Sequence, residues 1–178
     1  MTLISHLDCR RAIFAGSLIG TRETAAVVAA EIGFPIDKIE IDASLREIDY
    51  GLWEGKSTDE IDFMGGGAEL AAWENCGKWP SAAGWGASRA EHVRAISSLI
   101  DGIRQRSDHP VLIVSSNGIF RLLSQFIHPQ AKGMKMATGH LSLLSIGETR
   151  IGIVGWNVPP RDFAALVASA QPRDSEKD

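Results

Sequence analysis

The chain has 178 residues, 44% of them hydrophobic and 22% charged, a globular composition long enough for one domain with a full core. A net charge of -4 and a pI near 5.7, with no block of like charges, argue against nucleic acid or an anionic membrane as partner. The two cysteines, Cys9 and Cys76, form no CxxC pair or metal-ligand cluster, no apolar run reaches membrane-spanning length, and "MTLISHLDCRR" lacks a signal-peptide pattern, so the expectation is a cytoplasmic protein with reduced thiols.

Ala12 to Ala15 reads as a short strand, followed by the glycine-punctuated "GSLIG" and a helix over "TRETAAVVAAEIG" that closes at Gly33 before Pro35. Ile39 and Ile41 alternate as an extended segment, and "SLREIDYGLWEG" is irregular, turning at Gly51 and Gly55, a loop suited to the lip of a site. Ser57 and Glu60 fit a capping box, and a second short helix covers roughly Ala68 to Asn75. Val93, Ile96, Ile100 and Ile103 mark one face of a longer helix from about Ser88 to Arg106.

That helix feeds "VLIVSSNGIFRLL", in which Val111 to Val114 suits a strand buried on both faces, while Ile119, Leu122, Leu123 and Phe126 recur at helical spacing. Ser116 or Asn117 is placed to cap the helix, and Gly118 permits close approach. Leu141 to Ile146 and Arg150 to Trp156 form a hairpin turning at Gly147-Glu148, before a final helix over Phe163 to Ala170. The order predicts a single α/β layered domain over residues 1–170, with the hairpin at one side of the sheet and a polar, frayed tail at 171–178.

Ligands of open α/β sheets collect beyond the carboxyl ends of the strands, where the two corners Gly16 to Thr21 and Ser115 to Gly118 open and Glu47 follows the extended segment. Helix N-termini suit an anion, and a nearby carboxylate suits a general acid. Trp79 and Trp85, on one glycine-containing loop, form either packing or an apolar lid over a ligand. His92, His109 and His128 read as surface positions, His6 as a satisfied or exposed histidine, and His140 is placed at the same rim as Ser116. No spacing among the five suggests a metal site, and no cofactor is expected.

Three segments, in order, resemble the histidine phosphatase (phosphoglycerate mutase-like) superfamily. "AIFAGSLIGTRETAAVVA" is similar to the family's strand followed by Ser-Pro-Leu-x-Arg-Thr-x-x-Thr-Ala, "LREIDYGLWEGKSTDEI" to its Leu-x-Glu-x-x-x-Gly-x-x-Glu-Gly, and "VLIVSSNGIFRLL" to its Val-Ser-His-Gly-Gly-x-x-Arg. The resemblance implies a three-layer α/β/α sandwich with a mostly parallel sheet. It also implies phosphoryl transfer to a histidine held among two arginines and a second histidine, with a carboxylate protonating the leaving oxygen. Carried over residue by residue, Glu47 matches the acid and Glu54 a secondary carboxylate, whereas Gly20 stands at the second arginine, beside Thr21, and Ser116 at the second histidine.

The family's Arg-His-Gly nucleophile motif belongs on a strand upstream of Ala12. The expectation is that the sequence begins too late to contain it, so that the sheet lacks the family's first strand and exposes edges that favour a homodimer. Ser116, Asn117 and Gly118, with Gly20 and Thr21, remain the phosphate-binding candidates. Arg22, Arg46 and Arg121 are the cations near the matched segments, Arg121 being suited also to helix packing. The implied partner is a small phosphorylated molecule or an inorganic anion, met either by a weak or inactive phosphatase or by a non-catalytic anion-binding sensor or scaffold.

Overall fold

The structure, a computed structural model, describes residues 12–106, 110–128 and 134–170. His6, Cys9, His109 and the tail 171–178 therefore lie outside the described residues. Strand β1 (Ala12–Ala15) is the central strand of a parallel sheet. Its alternation sorts the core: Ile13 and Ala15 turn to one face, where they meet Ala25 and Ala29 of α1 (Ile19–Glu31), all four fully buried. Phe14 turns to the other face and joins the larger core.

The flanking strands are short. β2 is only Glu40–Ile41, narrower than the extended segment expected around it, because a one-turn helix at Ile36–Lys38 precedes it and another at Ala43–Leu45 follows. α2 (Thr58–Phe63) starts at the expected capping box, in which Glu60 N–H donates to Ser57 Oγ and the Ser57 N–H donates back to the Glu60 carboxylate. α3 (Gly67–Cys76) stops at Gly77, which takes the left-handed conformation at φ 61°. α4 (Arg89–Arg106) follows a second Ser-x-x-Glu box, Ser88 with Glu91, and buries Ile96, Leu99, Ile100 and Ile103 against the large core.

β3 (Val111–Val114) pairs with β1 in parallel, Ala12 opposite Val111 through Ala15 opposite Val114, giving the order β2-β1-β3. It is half-buried along its length, not buried on both faces as expected, because β1 is its only strand partner among the described residues. α5 (Asn117–Ile127) buries Ile119, Leu122 and Leu123 in the same core as α4. With α1 and its alanines on one face of the sheet and α4 and α5 on the other, the domain has three layers.

β4 (Leu141–Ile146) and β5 (Ile151–Val158) make an antiparallel hairpin closed by a Gly147 N–H to Arg150 carbonyl bond of 2.8 Å. Among the described residues the hairpin is a sheet of its own and not one side of the parallel sheet: β4 and β5 bond there only to each other, though Leu144, Ile146 and Ile151 still pack on the large core. α6 (Pro160–Ala170) begins three residues earlier than expected, at a proline placed where its missing N–H costs nothing. No helix among the described residues is long and apolar enough to cross a membrane.

Candidate functional site

Three chain segments meet beyond the carboxyl end of the parallel sheet. The chain leaving β1 is tied to β3 by Gly16 N–H donating to the Val114 carbonyl at 3.0 Å, and to the segment after β2 by Asp42 N–H donating to the Ala15 carbonyl at 3.0 Å. The corner after β3 is tied to that segment by Ser115 Oγ, which donates to the Leu45 carbonyl at 3.1 Å. Residues 45–50 are thereby laid across the start of α5, which brings Glu47 to Ser116 and Gly118.

Contact there is close. The Tyr50 hydroxyl donates to Glu47 Oε1 at 3.2 Å, and the Ser116 hydroxyl lies beside the same carboxylate. A methyl group at Gly118 would fall 2.5 Å from the Tyr50 oxygen and 3.3 Å from Glu47 Oε1, so only glycine lets this pair sit on the first turn of α5. Ser116 occupies the N-cap position as expected, but its side chain makes no capping bond, and its buried oxygen has no hydrogen-bond partner of good geometry among the described residues. The first-turn amides of α5 thus have no side-chain acceptor from their N-cap residue.

Burial pushes the Glu47 carboxyl above the ordinary carboxylate value, and the Glu54 charge adds to this, against the opposing pull of the nearby Ser116 hydroxyl, the Tyr50 hydrogen bond and the Ile48 backbone N–H. Burial, with the Glu47 charge beside it, pushes the Tyr50 phenol well above its ordinary value and keeps it a donor. A carboxyl inclined to hold its proton, a phenol, a serine hydroxyl and a helix N-terminus can together grip an oxyanion and offer it a proton.

The remaining expected residues are placed as follows. Glu54 accepts from the Tyr50 N–H at 3.3 Å and closes the turn behind Glu47. Asn117 accepts through Oδ1 from Met136 N–H at 3.3 Å, which ties the 134–137 segment to the mouth of the corner. Gly20 and Thr21 lie inside the first turn of α1, since the helix starts at Ile19 and not after a glycine loop. Gly20 has open space where a side chain would go, and the Thr21 hydroxyl reaches back to the carbonyls of Gly16 and Leu18 at 2.9 and 2.8 Å.

Arg22 and Arg46 are exposed. Arg121 is 3% exposed, lies over the Trp73 ring and donates to the carbonyls of Trp73 and Glu74, so it serves helix packing and leaves the pocket without its guanidinium. The His140 ring engages the Asn157 carbonyl at 3.0 Å through Nδ1, and the Ser116 hydroxyl bonds to no described histidine.

Of the two readings of Trp79 and Trp85, packing holds: Trp85 is 9% exposed and is ringed edge-on by Tyr50, Trp53, Trp73 and Trp79 at centroid distances of 4.7 to 5.7 Å. One expectation is corrected. His92 is not a surface residue: it lies one turn before Ile96 on the apolar face of α4, 6% exposed against Trp79, and burial lowers its pKa. Tyr50, bonded to Glu47 in this corner, is a neighbour that the sequence did not single out; its signal is that it is the chain's single tyrosine, three residues after the matched acid. Among the described residues no group of three or more metal-ligating side chains assembles. The concavities beside α4, one of them between Phe14, Asp42, Leu99 and Arg106, share no residue with this corner.

The family model of the histidine phosphatase superfamily (branch 1) matches residues 4–159. A glucosyl-3-phosphoglycerate phosphatase from Mycolicibacterium vanbaalenii is 26% identical over an alignment of 142 residues that covers 69% of this chain and 62% of that protein; the chain thus spans under two thirds of this curated relative. The native structure of a mycobacterial glucosyl-3-phosphoglycerate phosphatase is similar with a TM-score of 0.70 at 22% identity, over 83% of this chain and 77% of that one. The same enzyme in complex with inorganic phosphate gives 0.69 at 21% identity, over 85% and 78%. The fold agrees, and with a family match across most of its length the chain belongs to the histidine phosphatase superfamily, branch 1.

Proposed function

We propose that the corner formed by Glu47, Tyr50, Ser116 and the first turn of α5 holds the phosphoryl group of a small phosphomonoester, or an inorganic anion of that shape, and turns it over weakly or not at all. The observation that carries this reading is the half-buried Glu47 carboxyl, its pKa raised by burial, closed over an uncapped helix N-terminus. Amides of Gly118 and Ile119 and the Ser116 hydroxyl bind the anion's oxygens, and Glu47 offers its proton to the ester oxygen. Solved relatives carry inorganic phosphate and vanadate, which supports an anion of this shape.

Weak turnover follows from what stands at two positions. Gly20 supplies no guanidinium and Ser116 no imidazole, and loss of one preorganised donor from such a site costs roughly 10²–10³ in rate. The uncharged Ser116-Asn117-Gly118 corner favours a second reading, a sensor or scaffold that binds without turnover.

The test pairs thermal melts in phosphate and vanadate with release of p-nitrophenol from p-nitrophenyl phosphate by wild type and Glu47→Gln, with glucosyl-3-phosphoglycerate as a second ester. Bound anion at one hundred times its Kd raises stability by about 2.7 kcal/mol. A raised melting temperature with slow or no hydrolysis is expected, and complete absence of hydrolysis selects the sensor. No shift with either anion overturns the pocket, and fast hydrolysis that vanishes in Glu47→Gln overturns the weak turnover.

A further inference from the structure

Tyr50 is held on every side. Its ring stands edge-on to Trp85 at 4.9 Å, and its N–H is engaged by Glu54. The next residue, Gly51 at φ 54°, presses so closely on the 83–84 backbone that a Cβ would lie 2.4 Å from the Gly84 oxygen and 2.5 Å from that of Ala83. Leu52 N–H locks the contact by donating to the Ala83 carbonyl at 2.9 Å. A turn fixed in this way aims the phenol at one atom, Oε1 of Glu47, with the backbone of Gly118 directly beneath it.

We propose that Tyr50 is a positioning residue for Glu47: its hydroxyl occupies Oε1 and leaves Oε2 as the oxygen that presents the carboxyl proton to a bound phosphate oxygen. This rests on the pocket reading above. The assignment follows from donor and acceptor counting. A protonated phenol placed against Oε1 uses its hydrogen there, so a proton on Oε1 would meet a second donor, which turns the carboxyl proton to Oε2. As Oε2 gives up its proton, the carboxylate gains charge and the Tyr50 bond strengthens, since hydrogen bonds to an ionised acceptor are the stronger ones. The hydroxyl thereby eases proton release from an acid that burial otherwise holds.

The charged and polar groups around the pair are few. The Ser116 hydroxyl and the Ile48 backbone N–H lie beside Glu47 and favour its ionisation, the Glu54 charge opposes it, and Arg121 acts on Tyr50 from α5.

The test is a carboxyl carbon NMR titration of the free protein, with the Glu47 signal assigned by its loss in Glu47→Gln. In Tyr50→Phe the other neighbours stay, and Glu47 is expected to titrate at a higher pH than in wild type. Gly118→Ala, which drives a methyl group into the phenol oxygen, is expected to move the titration the same way with the tyrosine still present, and it stands in if Tyr50→Phe fails to fold. An unchanged Glu47 titration in a folded variant overturns the proposal. Because no ligand is present, a shifted titration alongside absent phosphate binding would mean that the Tyr50–Glu47 coupling holds and the pocket reading fails.

Discussion

At the scale of single residues, Glu47 shows how a functional group and the stability of its host pull against each other. Its folded pKa lies above the ordinary value of 4.5, so the folded state binds more protons than the unfolded one as pH rises from there. The protonated form is the one folding prefers. The stability this group contributes is fully present below 4.5 and is lost as pH rises through the folded value. Glu47→Gln, neutral at every pH, is therefore expected to melt higher than wild type at pH 8 and to converge with it near pH 4, as thermal melts across that range would record. Glu47 was singled out in the sequence by the resemblance of its segment to the family's Leu-x-Glu-x-x-x-Gly-x-x-Glu-Gly, its place after the extended segment alone being that of an ordinary surface carboxylate. Tyr50 and His92 were not: the bond from Tyr50 and the burial of His92 against Trp79 are set by which loop folds over which helix. Charged neighbours Glu91 and Arg94 disguised His92 as a surface residue.

At the scale of elements, α5 finishes α3. The Gly77 N–H takes the Trp73 carbonyl at 2.8 Å, and α5 completes this helix end: Arg121 donates to the carbonyls of Trp73 and Glu74 while Gln125 Nε2 donates to that of Cys76 at 2.8 Å. The guanidinium also meets the negative end of the α3 dipole and lies 5.4 Å over Trp73. Arg121→Ala removes the donor to the Glu74 carbonyl and the second donor to that of Trp73, and leaves a cavity beside the indole. It is expected to lower stability by about 3 kcal/mol in urea unfolding, with Arg121→Lys recovering only part. Helix starts were readable at Ser57 and Ser88 because caps are local chemistry. The bond between α3 and α5 was not, since about fifty residues of chain separate donor from acceptor.

At the scale of the whole molecule, the sheet is divided. β1 is paired on both sides, but β3 and the hairpin each present a strand edge with no partner among the described residues. The four apolar residues of β3 are all half-buried, which makes that edge attractive to another strand. Concentration-dependent association is expected in sedimentation velocity, and a strictly monomeric boundary at high concentration would show that the edge is covered. The order of strands and helices was legible from alternating patterns along the chain. The division was not, because hydrogen bonding between sheets leaves no trace in hydrophobic periodicity. The indole cluster carries one more consequence. Trp85 has indoles centred 4.7, 5.0 and 5.7 Å away and touches the ring whose hydroxyl meets Glu47, so absorbed ultraviolet light passes readily among these rings before it is re-emitted. The protein thus carries its own optical gauge: any anion that moves Tyr50 changes the colour or brightness of its native emission, without a dye or a label.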